Sequence, residues 1–161
     1  MVSNTATQLI ERAKDKGLTI CTAESCTGGM VSAALTDVAG SSAVFERGFV
    51  TYSNAAKIEM LGVSQDMLDA HGAVSEEVAV EMANGARARA GVDIAVSITG
   101  IAGPGGSEFK PEGRVCFALS TKKLTTHHTV EFGALGRAQV RQAATEEAIR
   151  LLTQAVESLD S

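Results

Sequence analysis

Apolar positions along the chain recur with two periods, and together they divide it into alternating helices and strands. Over residues 5–16, Leu9, Ile10 and Ala13 fall on one helical face, and Gly17 supplies the stop. Ser3, Asn4 or Thr5 can cap this helix, and Glu11, Arg12 and Lys14 read as its solvated face. Leu18-Thr19-Ile20-Cys21 then reads as a short buried strand, and the run from Met30 to about Val38 reads as a helix. Ala39-Gly40-Ser41-Ser42 is a loop of small residues, suited to a turn or to close approach by a substrate. Residues 45–52 read as a second strand, with Gly48 as a candidate bulge. Ser53 or Asn54 caps a helix carrying Lys57, Ile58, Met60 and Leu61, which Gly62 ends.

The remaining pattern is of the same kind. A short helix spans residues 64–70, and Ser75 caps another, with Glu76 and Glu77 at its positive end and Val78, Ala79, Met82, Ala83 and Ala86 as its apolar stripe. Residues 93–99 form a continuous apolar run that predicts a strand buried on both faces. Residues 114–120 and 125–132 predict two more strands, joined by a hairpin turn at Lys122-Lys123-Leu124. From Gly136 a long helix follows, with Val140, Ala144, Ala148, Leu151, Leu152 and Ala155 facing inward. Strands alternating with helices and then a hairpin predict an α/β fold: a three-layer α/β/α sandwich with a mixed, mainly parallel sheet.

Composition narrows the class of partner. The 161 residues suit one domain, spanning 1–161, and 45% hydrophobic with 20% charged residues is a globular balance. No apolar run approaches a membrane span, and Met1-Val2-Ser3-Asn4-Thr5 lacks the basic and apolar regions of a signal peptide, so the cytoplasm is the expected compartment. A net charge of -5 with one tyrosine and five phenylalanines offers no basic, aromatic stripe for nucleic acid. Cys21, Cys26 and Cys116 have no paired ligand spacing, and His127-His128 with a distant His71 makes no HExxH motif, so no metal is expected. Cys21 and Cys116 read as inert core thiols.

The chemistry gathers where strands are predicted to end. Thr22-Ala23-Glu24-Ser25-Cys26-Thr27-Gly28-Gly29 lies between the first strand and the second helix, at the sheet edge where ligands bind in open α/β folds. Paired glycines let backbone approach a ligand closely, and helix N-terminal amides attract anions. Ser25 and Thr27 are therefore either nucleophile candidates or simple helix caps. Cys26 competes as a nucleophile, since a thiol at a helix N-terminus has a depressed pKa. A serine needs a base; Gly-x-Ser-x-Gly is absent and no histidine follows a strand suitably, whereas Lys57 fills the role if burial keeps it neutral. The alternative places Lys57 on a solvated helix surface. Tyr52 is placed to pass a proton or orient the serine. The loop over residues 99–107 lacks the P-loop lysine; its glycines either offer amides to a phosphate or oxyanion or form a flexible connection. Arg137 and Arg141, one turn apart, form either a phosphate clamp or a solvated pair. If the first three strands are parallel, the Ser25 turn, the segment from Tyr52 to Lys57 and the Thr99 loop share one cleft.

Four segments, Thr22 to Gly29, Phe45 to Asn54 with Lys57, His71-Gly72-Ala73-Val74-Ser75-Glu76, and Thr99 to Gly106, together resemble the CinA C-terminal domain of the competence/damage-inducible family. The resemblance spans nearly the whole chain and matches the stand-alone form of the domain. It implies hydrolysis of the carboxamide of nicotinamide mononucleotide, a small-molecule substrate, by a Ser/Lys pair without metal or cofactor. Carried onto this chain, Ser25 is the nucleophile, Lys57 its base, and Tyr52 and Thr99 assist proton transfer and orientation. The oxyanion hole is placed among the backbone amides near Cys26, Thr27 and Gly28, with Gly29 also in the substrate-binding turn, while Gly100, Gly103, Gly105, Gly106 and Arg141 hold the ribose-phosphate end. Glu112, in Phe109-Lys110-Pro111-Glu112-Gly113, stands where relatives often carry a small or apolar residue, and Ala134-Leu135 replaces a more polar approach to Gly136-Arg137. Two other readings compete: a cysteine hydrolase working through Cys26, and a non-catalytic nucleotide-binding or competence-associated module. Apolar helices facing outward in a small domain are consistent with a homodimer.

Overall fold

The computed structural model describes residues 4–107 and 109–159. In chain order the elements are α1 (Asn4–Lys16), β1 (Ile20–Glu24), α2 (Met30–Thr36), a 3-10 turn (Ser41–Ala43), β2 (Phe45–Val50), α3 (Asn54–Leu61), α4 (Gln65–His71), α5 (Glu76–Ala90), β3 (Ile94–Gly100), β4 (Arg114–Thr121), β5 (Thr125–Glu131) and α6 (Arg137–Ser158). The sheet order is β2-β1-β3-β4-β5. β1 pairs in parallel with both β2 and β3, and β4 runs antiparallel to β3 and to β5. The carboxyl ends of β1, β2 and β3 therefore lie along one edge, as the strand-end motifs require.

Two helix layers cover the sheet, because each central strand alternates its side chains between faces. Ile20, Ile94, Val96, Ile98, Val115 and Phe117 pack with α1, α2 and α6. Cys21, Ala23 and Ala95 face the opposite way, onto α3, α4 and α5. The expected three-layer mixed sandwich is thus present. The caps are local chemistry: Ser53, Ser64 and Ser75 accept the amides of Ala56, Met67 and Val78 through their hydroxyls. Capping of α1 by Ser3 falls outside the described residues.

Two details differ from the pattern-based reading. β1 begins at Ile20 and continues through Glu24, so the polar residues Thr22 and Glu24 belong to the strand rather than to the turn. The register between β1 and β2 shifts at Ile20/Cys21, opposite Glu46, and not at Gly48. Gly48 instead makes room: a Cβ there would meet Ser32 Oγ at 2.4 Å and Thr22 Oγ1 at 2.8 Å. The small-residue loop at 39–42 leads into the start of β2, at the edge opposite the Ser25 turn, and serves as a turn.

One close helix contact sets the position of α3. A Cβ on Gly85 of α5 would stand 1.9 Å from the carbonyl oxygen of Leu61, the last residue of α3. Gly85→Ala gains about 1 kcal/mol of helix propensity. Overpacking against rigid backbone typically costs about 1–3 kcal/mol, and no rotamer change relieves it. The clash is expected to win, lowering the urea midpoint of unfolding, and turnover is expected to fall as well because α3 carries Lys57. A midpoint equal to wild type would show that α3 is free to move away.

Candidate active site

Strand alternation places the two acidic and nucleophilic residues of the turn on opposite sides of the sheet. Thr22 and Glu24 face α2, where both reach Ser32: Thr22 Oγ1 lies 2.8 Å from Ser32 Oγ, and Ser32 Oγ donates to Glu24 Oε2 at 2.7 Å. Ser25 follows on the α3 side, held by donation of its amide to Ile98 O at 3.0 Å. There the Nζ of Lys57 approaches Ser25 Oγ to 3.0 Å. The same nitrogen lies 2.8 Å from the Thr51 carbonyl and 3.4 Å from that of Tyr52. Thr51 is placed by the chain beyond β2, its amide donating to Glu24 O at 2.7 Å. Lys57 is 1% exposed and Ser25 8%. The solvated-surface alternative for Lys57 is therefore ruled out by its burial.

The turn after Ser25 is clamped from both sides. Glu24, fully buried, accepts five hydrogen bonds: Oε1 from Thr27 Oγ1, Gly29 N and Val31 N, and Oε2 from Ser32 N and Ser32 Oγ. This carboxylate caps α2, so neither Ser25 nor Thr27 serves as the cap. From the other side, Arg141 donates through Nε to Cys26 O at 3.0 Å and through Nη2 to Thr27 O at 3.3 Å. Gly28 at φ +57° lets that guanidinium in: a Cβ there would sit 3.1 Å from Arg141 Nη2. The Gly28 amide bonds Ser25 O, and the Gly29 amide is taken by Glu24. Among the described residues, the amides of Cys26 and Thr27 are thus the ones in the turn not committed to a protein acceptor.

Cys26 behaves unlike a thiol at an open helix end. Burial pushes its pKa up to about 12, outweighing the lowering by its own backbone amide and by Arg141. The expectation of a depressed pKa fails because the thiol is desolvated and α2 spends its N-terminal amides on Glu24. Burial likewise raises Cys21 to about 12, as an inert core thiol requires.

A cleft of about 380 Å³ opens at this edge, and Ser25, Cys26, Tyr52, Lys57 and Thr99 line it together with residues 100–107 and Arg137. Gly100, Gly103, Gly105 and Gly106 belong to that lining, whereas Thr27, Gly28, Gly29 and Arg141 lie outside it. The Thr99 hydroxyl donates to Ala73 O at 2.8 Å, and the Tyr52 phenol oxygen accepts from Arg137 Nη2 at 2.9 Å. Sequence reasoning missed Glu24. Its signal was a glutamate in phase with Thr22 on a strand between two apolar stretches. A larger hollow of about 860 Å³ lies between α5 and the β4–β5 hairpin, where Glu76, Glu77, Glu81 and Glu131 make it acidic, and it contains none of the predicted site residues.

The chain matches the family model for the CinA C-terminal domain over residues 2–156. The chain belongs to the CinA C-terminal domain family. Within that family it is 54% identical over 148 residues to the nicotinamide-nucleotide amidohydrolase PncC of Escherichia coli K12, covering 91% of this chain and 90% of that protein. A CinA-like protein of Chloroherpeton thalassium is 60% identical over 112 residues, which are 69% of this chain and 27% of that protein. The crystal structure of the competence/damage inducible protein CihA from Agrobacterium tumefaciens superposes with a TM-score of 0.89 at 43% identity, over 98% of this chain and 99% of that one. No helix among the described residues of this CinA-family chain is long and apolar enough to cross a membrane.

Proposed function

We propose that this protein hydrolyses the carboxamide of nicotinamide mononucleotide to nicotinate mononucleotide and ammonia through Ser25 and Lys57. The observation that carries the reading is the 3.0 Å approach of a buried lysine amine to the Ser25 hydroxyl, in a chain 54% identical to a nicotinamide-nucleotide amidohydrolase. Burial penalises an ammonium ion and so favours the neutral amine a base must be. A neutral amine has two N–H donors and one lone pair. The carbonyls of Thr51 and Tyr52 take the donors, which leaves the lone pair for the serine proton.

Ser25 Oγ attacks the carboxamide carbon as Lys57 accepts its proton, and the carbonyl oxygen becomes an oxyanion. The Cys26 amide, on the cleft lining, is the donor for that charge, and one such donor is typically worth about 3 kcal/mol. Collapse of the intermediate breaks the C–N bond, and the Lys57 ammonium returns the proton to the departing nitrogen as ammonia. Water then attacks the acyl ester with Lys57 again as base, restoring the Ser25 hydroxyl and releasing the carboxylate. The substrate's cationic pyridinium ring withdraws electrons from the carboxamide, so a two-residue apparatus suffices.

The test is ammonia and nicotinate mononucleotide formation from nicotinamide mononucleotide. Wild type and Cys26→Ala are both expected to turn over, and iodoacetamide at pH 8 is expected to leave wild-type activity intact, because a thiol of pKa about 12 is almost wholly protonated there. Loss of activity on alkylation would favour the cysteine hydrolase. Stabilisation by the nucleotide with no product would favour the binding module.

A further inference from the structure

The connection between α4 and α5 is shaped by side chains, because each carbonyl from residue 71 to residue 74 accepts from one. Ser75 Oγ donates to Gly72 O at 2.9 Å and Thr99 Oγ1 to Ala73 O at 2.8 Å. Lys110 Nζ donates to both His71 O at 2.7 Å and Val74 O at 2.5 Å. Thr99 lies at the end of β3, and Lys110 lies on the arm by which the glycine loop returns to β4. Ala73 and Val74 line the cleft, and so do residues 100–107. Lys110 does not; it lines the hollow beside α5.

The loop that Lys110 holds is tied to itself. Ser107 and Lys110 exchange backbone hydrogen bonds of 2.9 and 2.8 Å. The Gly105 amide donates to Glu112 Oε1 at 2.6 Å. Gly106 packs so closely that a Cβ there would stand 2.3 Å from Lys110 O. The outward run 105–107 and the return arm 110–112 are therefore one piece, and a tether on the arm fixes where the glycines lie.

We infer that Lys110 is a positioning residue: it ties the glycine loop to the α4–α5 connection, sets the spacing of these two parts of the cleft and so governs how tightly the substrate is held, an inference that rests on the amidase reading and deepens it. An ammonium offers three N–H donors on a flexible stem, and its bonds to carbonyls are charge-assisted and stronger than neutral ones. Without it, the Thr99 hydroxyl is left as the side-chain bond from β3 to this connection. The reacting pair is held elsewhere, Ser25 through its amide on Ile98 O and Lys57 through the Thr51 and Tyr52 carbonyls. Loss of the tether therefore acts on binding and spares the chemical step. Val74 O is part-buried and His71 O lies at the surface, so water takes the place of a lost donor and the fold survives.

The experiment compares wild type, Lys110→Met and Lys110→Arg by kcat and KM on nicotinamide mononucleotide and by urea unfolding. Calorimetric titration of the nucleotide into the same three proteins, each also carrying Ser25→Ala so that none is consumed, gives Kd. Lys110→Met keeps the stem and loses the donors. Its KM and Kd are expected to rise about fivefold or more while kcat stays within about twofold, the pattern of lost binding common to ground and transition states. Lys110→Arg is expected to recover most of the affinity, since it keeps a cationic donor on a long stem. An unchanged KM and Kd in Lys110→Met overturns the assignment, as does a kcat that falls with the folded fraction while KM holds. An arginine variant no better than the methionine one also overturns it. If the nucleotide binds but wild type makes no product, the amidase reading fails, while the Kd ratio still decides the tether. A protein that neither binds nor hydrolyses it overturns both.

Discussion

Ser25→Ala is expected to lower kcat on nicotinamide mononucleotide by roughly 10⁴-fold or more, with little change in the unfolding midpoint. The magnitude follows from nucleophile–base pairs in hydrolases, where removal of either member costs nearly as much as removal of both. Lys57→Met, which keeps the aliphatic stem but cannot accept the proton, is expected to fall to a similar floor. The double variant is expected to be no worse than either single one, because the two groups act as one unit across their 3.0 Å contact. Steady-state ammonia release by the three variants checks this. Additive losses would mean that Lys57 and Ser25 act independently, and a Ser25→Ala enzyme near wild-type turnover would remove the serine from the chemistry. Melting curves belong with the rates, since the methionine leaves the Thr51 and Tyr52 carbonyls without the donor that Lys57 gave them.

The largest effect on stability is expected at Glu24. Truncation to alanine strands Thr27 Oγ1, the amides of Gly29, Val31 and Ser32, and Ser32 Oγ in the interior. A buried donor left without a partner costs about 1–3 kcal/mol. Five such losses, even partly relaxed, amount to something on the order of 5 kcal/mol, which rivals the whole stability of many domains. Glu24→Ala is therefore expected to be largely unfolded. Glu24→Gln provides the readable test. Its amide keeps one accepting oxygen but turns an NH₂ group towards donors, so a loss of about 2–4 kcal/mol is expected in urea unfolding. In the fraction that folds, kcat is expected to fall more than KM rises, because the turn that Glu24 holds carries the Cys26 amide. A Gln variant with wild-type stability and turnover would show that the turn is held by Arg141 and the glycines alone.

Glu24 also marks where linear reading stops. Its neighbours Ser25, Cys26 and Thr27 attracted attention as carriers of hydroxyl and thiol groups, yet the residue that shapes them reads in one dimension as an ordinary acid. Only the extension of β1 to Glu24 and its packing on α2 give the carboxylate its five donors. Cys26 shows the reverse error. A position before a helix predicts an acidic thiol, but depth of burial is a property of the packed layers and it raises that thiol instead.

What the amino-acid sequence determined by itself is the part of the protein that depends on near neighbours: the order of helices and strands, the serine caps of α3 and α5, the glycine stops, and the strand-end positions of Ser25, Lys57 and the glycine loop. These follow from side-chain periodicity and backbone hydrogen bonding over a few residues. The tertiary structure alone decided which of those groups meet. It brought Lys57 across 32 positions of sequence to Ser25, set Arg141 on the turn and Arg137 in the cleft, and committed the Gly105 amide to Glu112. Contacts of that kind arise from parallel strand pairing and from two helix layers closing on one sheet. Their energies depend on burial and distance, neither of which is a property of any short stretch of chain.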